Sequence, residues 1–162
     1  MSSEPMIDIR RPHVRELPTL RRLFCRAVRG HFAYFPVPYQ EEIMSENTLW
    51  RLFLGRLNPQ RAMYVAVSQG KLLGYIIAGQ GGLDGHIYWL FVDPEARGCN
   101  TGQRLMEQAL EQLQRQGATR VLLNTHDHEK YYHRYGFKSQ KPWKLHGVVV
   151  VAMSLDLGRW TK

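Results

Sequence analysis

The chain has little cysteine and no long hydrophobic run. Its only two cysteines, Cys25 and Cys99, form no C-x-x-C pair, so the sequence predicts neither a disulfide framework nor a zinc site. No stretch approaches the roughly 18 consecutive apolar residues of a membrane-spanning helix. The N-terminal segment 1–5 also lacks the basic and apolar regions of a signal peptide. We therefore expect a cytoplasmic protein that does not bind membranes.

Acidic residues are scarce as well. The sequence has 14 Asp and Glu against 22 Lys and Arg, a net charge of +8. Part of the excess lies on one stripe of the first predicted helix, at Arg15, Arg22, Arg26 and Arg29. Such a stripe is typical of a solvated helix face. An acidic partner or nucleic acid stays open as an alternative, and a basic surface would also attract an anionic cofactor.

The length of 162 residues predicts one domain, residues 1–157, with a loose C-terminal tail, 158–162. The hydrophobic periodicity and the order of the elements predict a mixed α/β fold. The predicted strands are 7–10, 62–67, 72–80, 86–92, 120–124 and 148–155. The predicted helices are 12–28, a second that begins near Ser45 or Asn47 and ends before Asn58, 102–116 and 129–135. Segment 31–43 is predicted to be a packed loop, because two prolines interrupt its apolar pattern.

One predicted strand, 86–92, leads through a short glycine-bearing loop into the amphipathic helix 102–116. The first N–H groups of a helix have no intrahelical partner, and the helix dipole adds positive charge there, so this junction predicts an anion site. The loop has neither the Gly-Lys-Ser/Thr of a Walker loop nor the context of a dinucleotide-binding motif. The two common nucleotide-binding motifs are therefore disfavoured.

This junction resembles the acyl-CoA pyrophosphate loop of the GCN5-related N-acetyltransferase (GNAT) family. That family's pattern, Arg/Gln-x-x-Gly-x-Gly/Ala after a strand ending in Val-x-Pro, is matched by 92–94 and 97–102, except that Asn100 stands at a glycine position. The segment 131–137 is similar to the family's Phe-Tyr-x-x-x-Gly-Phe signature. The resemblance covers residues 7–157 and implies a mixed, mostly antiparallel central sheet with helices on both faces.

The resemblance implies an acyltransferase that moves an acetyl group from acetyl-CoA to an amine by direct transfer in a ternary complex. Its CoA pyrophosphate would lie on the N–H groups of 98–103, with Arg97 adding charge, and the strand at 90–92 would bind the pantetheine arm. The implied cofactor-binding residues are Leu90, Phe91, Val92, Arg97, Gly98, Cys99, Asn100, Thr101, Gly102 and Gln103. Asn100 fits such a loop because asparagine enters positive φ readily.

Two side chains are candidates for the chemistry of acetyl transfer. Tyr132 occupies the position of the tyrosine that protonates the leaving thiolate in many family members, and a phenol near pKa 10 can donate to a thiolate near 8.5. The alternative for Tyr132 is an ordinary core aromatic. His86 stands near the register of the family's basic glutamate, with Tyr88 on the same face. The alternative for His86 is an exposed residue at a strand end.

The segment before Tyr132 departs from the family pattern. Thr125 and His128 stand where many members have Asn and Ala, and His126, Asp127 and His128 could face the same cleft. Three adjacent residues cannot all converge on one ion, so no metal site is expected, and Asp127 is predicted to cap the following helix. These departures keep a second hypothesis open: a catalytically weak module that binds CoA, or a polyanion such as nucleic acid.

The acceptor is the least defined part of the prediction. In the family the region between the first two helices lines the acceptor pocket, and here it holds aromatic residues beside acidic ones, namely Phe32, Tyr34, Phe35, Tyr39, Glu41 and Glu42. Aromatic walls near a carboxylate suit an amine cation. The expected partners are thus acetyl-CoA and an amine, small molecule or peptide, without nucleic acid in the leading hypothesis; a homodimer is compatible.

Overall fold

The computed structural model describes residues 6–162. Its strands are β1 (Asp8–Arg10), β2 (Arg61–Ser68), β3 (Lys71–Gly81), β4 (Asp84–Val92), β5 (Arg120–Thr125), β6 (Lys138–Leu145) and β7 (Val148–Asp156). Its helices are α1 (Leu17–His31), α2 (Val37–Glu46), α3 (Leu49–Leu57), α4 (Thr101–Arg115) and α5 (Glu129–His133). Segment 1–5, on which the expectation of no signal peptide rests, lies outside the described residues. No helix within 6–162 is both long and apolar enough to cross a membrane.

The strands form one seven-stranded sheet in the order β1-β2-β3-β4-β5-β7-β6. Neighbouring strands are antiparallel except β4 and β5, which are parallel. A core between α1, α2, α3 and the sheet covers one face, and α4 packs against the other face together with Tyr132 and Tyr135 around α5. The predicted mixed, mostly antiparallel sheet with helices on both faces is confirmed.

The amphipathic pattern of α4 was the clearest in the sequence, and the structure confirms it. Its apolar side chains Leu105, Met106, Ala109, Leu110 and Leu113 are all buried against the sheet. The helix ends near Gly117, which has a φ of +88°. This left-handed residue after the last turn is typical of a helix C-terminus.

The prediction of a packed loop over 31–43 is wrong, because most of its second half belongs to α2. Pro36 is the N-cap of that helix and Pro38 lies in its first turn. Proline is tolerated there because the first N–H groups of a helix need no intrahelical acceptor. The next helix, α3, is capped by Thr48, whose side chain accepts a hydrogen bond from the Arg51 N–H, and not by Ser45 or Asn47.

Three further features differ from the predictions: the start of the first helix, an additional strand and the C-terminal tail. The first helix begins at Leu17 after a 3-10 turn at 14–16, not at Pro12. Strand β6 was not predicted, because its residues are exposed except for half-buried Leu145 and so lack hydrophobic alternation. The expected loose tail is also wrong: Trp160 is only 9% exposed and packs in the core beside α4.

Substitution of Gly74 on β3 is expected to lower the stability of the protein substantially. A Cβ there would lie 2.7 Å from the carbonyl oxygen of Phe91 and 3.3 Å from the Cα of Val92, so β3 and β4 would have to separate. Gly74→Ala should therefore lower the free energy of unfolding by about 1–3 kcal/mol, measured by urea denaturation. Gly30→Ala is the control, because a Cβ at Gly30 in α1 meets nothing within 4 Å and alanine favours helix. Equal losses in both variants would contradict the prediction.

Candidate active site

The sheet opens between β4 and β5. The two strands pair only at Asp84 with Arg120, Gly85 with Val121 and His86 with Leu122. Beyond His86 they diverge, and a cleft of about 1020 Å³ lies between them. Residues 86–92 of β4 line one side of this cleft, and residues 122–125 of β5 with His126 line the other.

A β-bulge lies in β4 where the strands separate. Ile77 pairs with Trp89 but the next residue, Ala78, pairs with Ile87, which leaves Tyr88 without a partner on β3. A bulge bends the strand that carries it. The bulge and the end of the β4–β5 ladder therefore fall within two residues of each other, at the closed end of the cleft.

The backbone of β4 presents hydrogen-bonding groups to the cleft. The Asp93 N–H donates to the Leu73 carbonyl at 2.7 Å. In an antiparallel ladder every second residue hydrogen-bonds to the neighbouring strand, so this bond determines which residues of β4 face β3. By that alternation the backbone groups of Phe91 face β3, whereas those of Leu90 and Val92 face away from it. Because the ladder with β5 has already ended at His86, these groups face the cleft.

The loop after β4 is held in a defined shape. The Asp93 carboxylate accepts a hydrogen bond from the Glu95 N–H at 3.1 Å and pairs with Arg26 at 2.9 Å. The Thr101 hydroxyl, which is buried, donates to the Ala96 carbonyl at 3.1 Å. The side chains of Asp93 and Thr101 therefore fix the path of the loop on either side of its central residues.

Two left-handed residues complete this loop. Gly98 has a φ of +86°, and Asn100 has a φ of 54° immediately before α4 begins at Thr101. The prediction that Asn100 can adopt positive φ is confirmed. Arg97, Gly98, Asn100, Thr101, Gly102 and Gln103 line the cleft, and Cys99 is exposed outside that set. The first N–H groups of α4 and the positive end of its dipole thus face the cleft, a geometry that favours an anion.

Tyr132 on α5 lies at the boundary between the core and the cleft. Its ring packs against Phe137 with centroids 6.0 Å apart, and it lines the cleft. Burial raises its pKa well above the ordinary value, and the neighbouring Tyr131 and Tyr34 add to this effect. The Tyr132 phenol is therefore protonated at neutral pH and can donate a proton or a hydrogen bond.

Tyr131 connects α5 to the start of α4. A Cβ at Gly102 would lie 2.7 Å from the Tyr131 hydroxyl, so the hydroxyl packs directly on the first turn of α4. The Tyr135 hydroxyl donates to that of Tyr131 at 3.0 Å. This contact fixes the helix that carries Tyr132 relative to the loop that faces the anion site.

His86 is the last residue of β4 that pairs with β5, and it lines the cleft. Its ring lies 6.1 Å from that of Tyr88 at an interplanar angle of 13°, so the prediction that the two share a face is confirmed. His31, which no sequence motif marks, lines the same cleft and contacts Phe91, with ring centroids 4.9 Å apart. Both imidazoles thus border the cleft.

The segment before α5 corrects one prediction. The N-cap of α5 is His128, not Asp127, and its N–H donates to the Thr125 hydroxyl at 3.2 Å. The Asp127 carboxylate pairs instead with the His128 ring at 2.8 Å. His126 and His128 line the cleft. Within residues 6–162, no group of three or more His, Cys, Asp or Glu side chains is placed to hold a metal ion.

The side of the cleft bordered by the α1–α2 segment is aromatic. Phe32, Tyr34, Phe35 and Tyr39 all line it, as expected from the sequence. The acidic residue that lines it is Glu46, not Glu41 or Glu42. Glu46 was missed because α2 was not predicted; in a helix, Tyr39 and Glu46 lie two turns apart on one side.

Comparisons with known proteins agree with this geometry. The model of the acetyltransferase (GNAT) domain matches residues 39–157. The peptidyl-lysine N-acetyltransferase YjaB of Escherichia coli K12 is 30% identical over 139 residues, which cover 82% of this chain and 83% of that protein. Among solved structures, the PaiA N-acetyltransferase of Thermoplasma acidophilum in complex with coenzyme A superposes with a TM-score of 0.76, at 18% identity over 91% of this chain and 98% of that one.

An N-acetyltransferase from Staphylococcus aureus Mu50 has the same fold, with a TM-score of 0.74 at 17% identity over 94% of this chain and 99% of the other. The chain thus has the fold of these solved acetyltransferases. The chain belongs to the GNAT family. The predicted family and enzyme class, an N-acetyltransferase with acetyl-CoA as cosubstrate, are confirmed.

Proposed function

We propose that the cleft between β4 and β5 is the active site, and that acetyl transfer occurs there by direct attack of an amine on acetyl-CoA in a ternary complex. The observation that carries this proposal is the meeting of three features in one cleft. The exposed backbone of β4, the anion-binding start of α4 and the protonated Tyr132 all border it. Each corresponds to one requirement of the reaction.

Acetyl-CoA would bind along β4 with its pyrophosphate on the loop. The N–H groups of 98–103 would receive the phosphate oxygens, and Arg97 would add charge at the rim. The N–H groups of Leu90 and Val92 would bond the pantetheine arm and the thioester carbonyl in the manner of an added strand. The backbone groups of Phe91 face β3 and would not bond the cofactor. Phe91 would only hold its neighbours Leu90 and Val92 in position in the strand.

In the proposed reaction the neutral amine nitrogen attacks the thioester carbon and forms a C–N bond. The carbonyl oxygen becomes an oxyanion, and a β4 N–H donates to it. When the C–S bond breaks, the electron pair goes to sulfur, and the Tyr132 hydroxyl supplies the proton of the free thiol. The proton lost by the attacking nitrogen passes to His86, directly or through one water. Tyr132 then recovers a proton from solvent.

The acceptor is a primary amine in this proposal. YjaB is described as a peptidyl-lysine N-acetyltransferase, which makes a lysine side chain the first acceptor to test. The aromatic side of the cleft supports an amine, because ring faces attract cations and also pack on aliphatic stems. The Arg stripe of α1 is then a solvated face, one member of which, Arg26, pairs with Asp93.

Steady-state kinetics test the direct-transfer mechanism. Thiol release should be followed while acetyl-CoA and a lysine-containing peptide are varied together. Intersecting initial-velocity lines are expected, because both substrates must be bound before chemistry. Parallel lines would indicate a covalent acetyl-enzyme and overturn direct transfer. Binding of CoA without thiol release from any amine would favour the alternative, a CoA-binding module.

The Asn100 position predicts a specific effect on CoA affinity. Asn100→Gly should change the Kd for CoA by no more than about threefold, because glycine adopts the same φ of 54° freely. Asn100→Val should weaken CoA at least tenfold, since a β-branched residue there costs about 1–3 kcal/mol of strain. Isothermal titration calorimetry measures both.

Gln69→Val is the matched control for Asn100→Val. Gln69 has a φ of 49° in the turn between β2 and β3, outside the cleft, so the variant is strained in the same way without altering the loop. Its CoA affinity should be unchanged. A gain of several kcal/mol in CoA affinity for Asn100→Gly would mean that Asn100 weakens CoA binding by the native loop. That result would favour the binding-module hypothesis.

A further inference from the structure

The aromatic side of the cleft is a continuous wall of rings. Phe32, Tyr34, Phe35 and Tyr39, here called the aromatic enclosure, contact one another in sequence. Ring centroids are 6.2 Å apart for Phe32 and Tyr34, 4.7 Å for Tyr34 and Phe35, and 5.0 Å for Phe35 and Tyr39. The enclosure therefore runs from the end of α1 into the first turn of α2 without a gap.

Two histidines from the other half of the sheet stack on this enclosure. His126, after β5, stacks on Tyr34 with centroids 4.4 Å apart, and His146, in the β6–β7 turn, stacks on Tyr39 at 3.8 Å. The His126 ring is itself held by the Val149 carbonyl at 2.8 Å. The sheet halves diverge beyond His86, and these two stacks join them again across the opening. The enclosure is thus bounded on both sides.

The inner end of the enclosure lies beside the reaction centre proposed above. Tyr34 and Tyr132 both line the cleft, and Tyr34 adds to the effect of burial, which raises the pKa of Tyr132. Phe32 contacts Trp89 of β4 with ring centroids 5.4 Å apart. Burial raises the pKa of Tyr34 itself to about 12, so its hydroxyl is neutral. An acceptor that enters along the rings would place its nitrogen near Tyr132.

The outer end of the enclosure carries a negative charge. Glu46 lies about 10 Å from Tyr39 along the axis of α2, at a rise of roughly 1.5 Å per residue. Burial raises the pKa of Tyr39, and the charges of Glu42 and Glu46 add to this effect. Among the described residues that line the cleft, Glu46 is the only carboxylate.

We propose, resting on the acetyl transfer proposed above, that the acceptor is a linear primary alkylamine with a second cationic group. The reacting nitrogen must be neutral to attack, so it does not form an ion pair with a carboxylate. Glu46 is then free to bind a different cation on the same molecule, while the methylene chain between the two nitrogens packs against the rings. Such an acceptor is either a free alkyl diamine or a lysine side chain beside a basic residue.

The test compares acceptors that differ only in the second charge. Thiol-release kinetics should be measured with hexylamine and 1,6-diaminohexane, and with the peptides acetyl-Gly-Lys-Gly-amide and acetyl-Gly-Lys-Arg-amide. We expect the dicationic member of at least one pair to have a kcat/KM about fivefold higher, mainly through KM. The pair that shows the preference identifies the source of the amine.

Glu46→Gln should abolish that preference, so that the ratio of kcat/KM between the dicationic and the monocationic acceptor falls to about one. Glu42→Gln is the matched control, because Glu42 lies one turn away on α2 but does not line the cleft, and it should retain the preference. A preference that survives Glu46→Gln, or no preference in either pair, overturns this inference while amine acetylation stands. If no amine releases thiol although CoA binds, the proposed function itself fails.

Discussion

Tyr132→Phe is expected to lower kcat by about 100- to 1000-fold, the usual contribution of a positioned general acid, and to leave the KM for acetyl-CoA unchanged. The substitution removes one hydroxyl from a ring that stays packed on Phe137. The pyrophosphate loop and the β4 backbone, where the cofactor is proposed to bind, are not touched. The loss should therefore fall on departure of the thiolate and not on binding.

Stopped-flow or steady-state thiol release measures this effect, and Tyr64→Phe provides the control. The Tyr64 hydroxyl donates to Gln112 at 2.6 Å between β2 and α4, outside the cleft. Its removal should leave kcat near the wild-type value. Equal activity of Tyr132→Phe and the wild type would exclude the phenol as the acid. Equal losses in both variants would indicate a structural effect.

The raised pKa of Tyr132 also predicts the alkaline behaviour of the wild type. The acid must be protonated to act, and burial moves its pKa upward, so the active form persists to higher pH than for an ordinary phenol near 10. The kcat at saturating substrates should thus stay level between pH 8 and 10. A fall with a midpoint at or below pH 10 would show that an ordinary phenol, or another group, controls the step.

The parts of the site that are local in sequence could be predicted from the sequence. The loop and α4 are one continuous segment in which glycine, asparagine and helical periodicity agree, so the positive φ of Asn100 and the buried face of α4 were foreseeable. The same holds for Tyr132, which lies four residues before Gly136. In each case the sequence pattern that supports the prediction lies within a segment of about 15 residues.

The other parts depend on contacts between distant segments. The stack of Tyr39 on His146 joins residues more than 100 positions apart, and no local pattern marks either partner. Helix α2 was missed because its prolines lie at the N-cap and first turn, where they begin a helix and do not interrupt one. Strand β6 was missed because an exposed edge strand has no alternation to detect. The positions of Glu46 and His146 on the acceptor side therefore required the fold, whereas its aromatic residues were expected from the sequence.

The second large effect is expected at Gly102, where α4 and α5 meet. Gly102→Ala should lower kcat/KM for acetyl-CoA by about 10- to 100-fold, because the new Cβ would lie 2.7 Å from the Tyr131 hydroxyl and a displacement of about 1 Å at an active site can cost 100-fold. Either Tyr131 moves and shifts Tyr132 beside it, or the first turn of α4 moves with its N–H groups. Alanine favours helix, so the melting temperature should not fall.

A double variant separates this contact from any other cause. Tyr131→Phe keeps the ring but removes the oxygen that the Cβ would meet, so Gly102→Ala with Tyr131→Phe should recover most of the kcat/KM lost in Gly102→Ala. Tyr131→Phe alone should cost little, since its hydroxyl bonds only that of Tyr135 among the described residues. Recovery would be a coupling between two residues in contact. Additive losses would instead mean that the side chain at 102 acts on the cofactor itself, and that Tyr131 does not position α5.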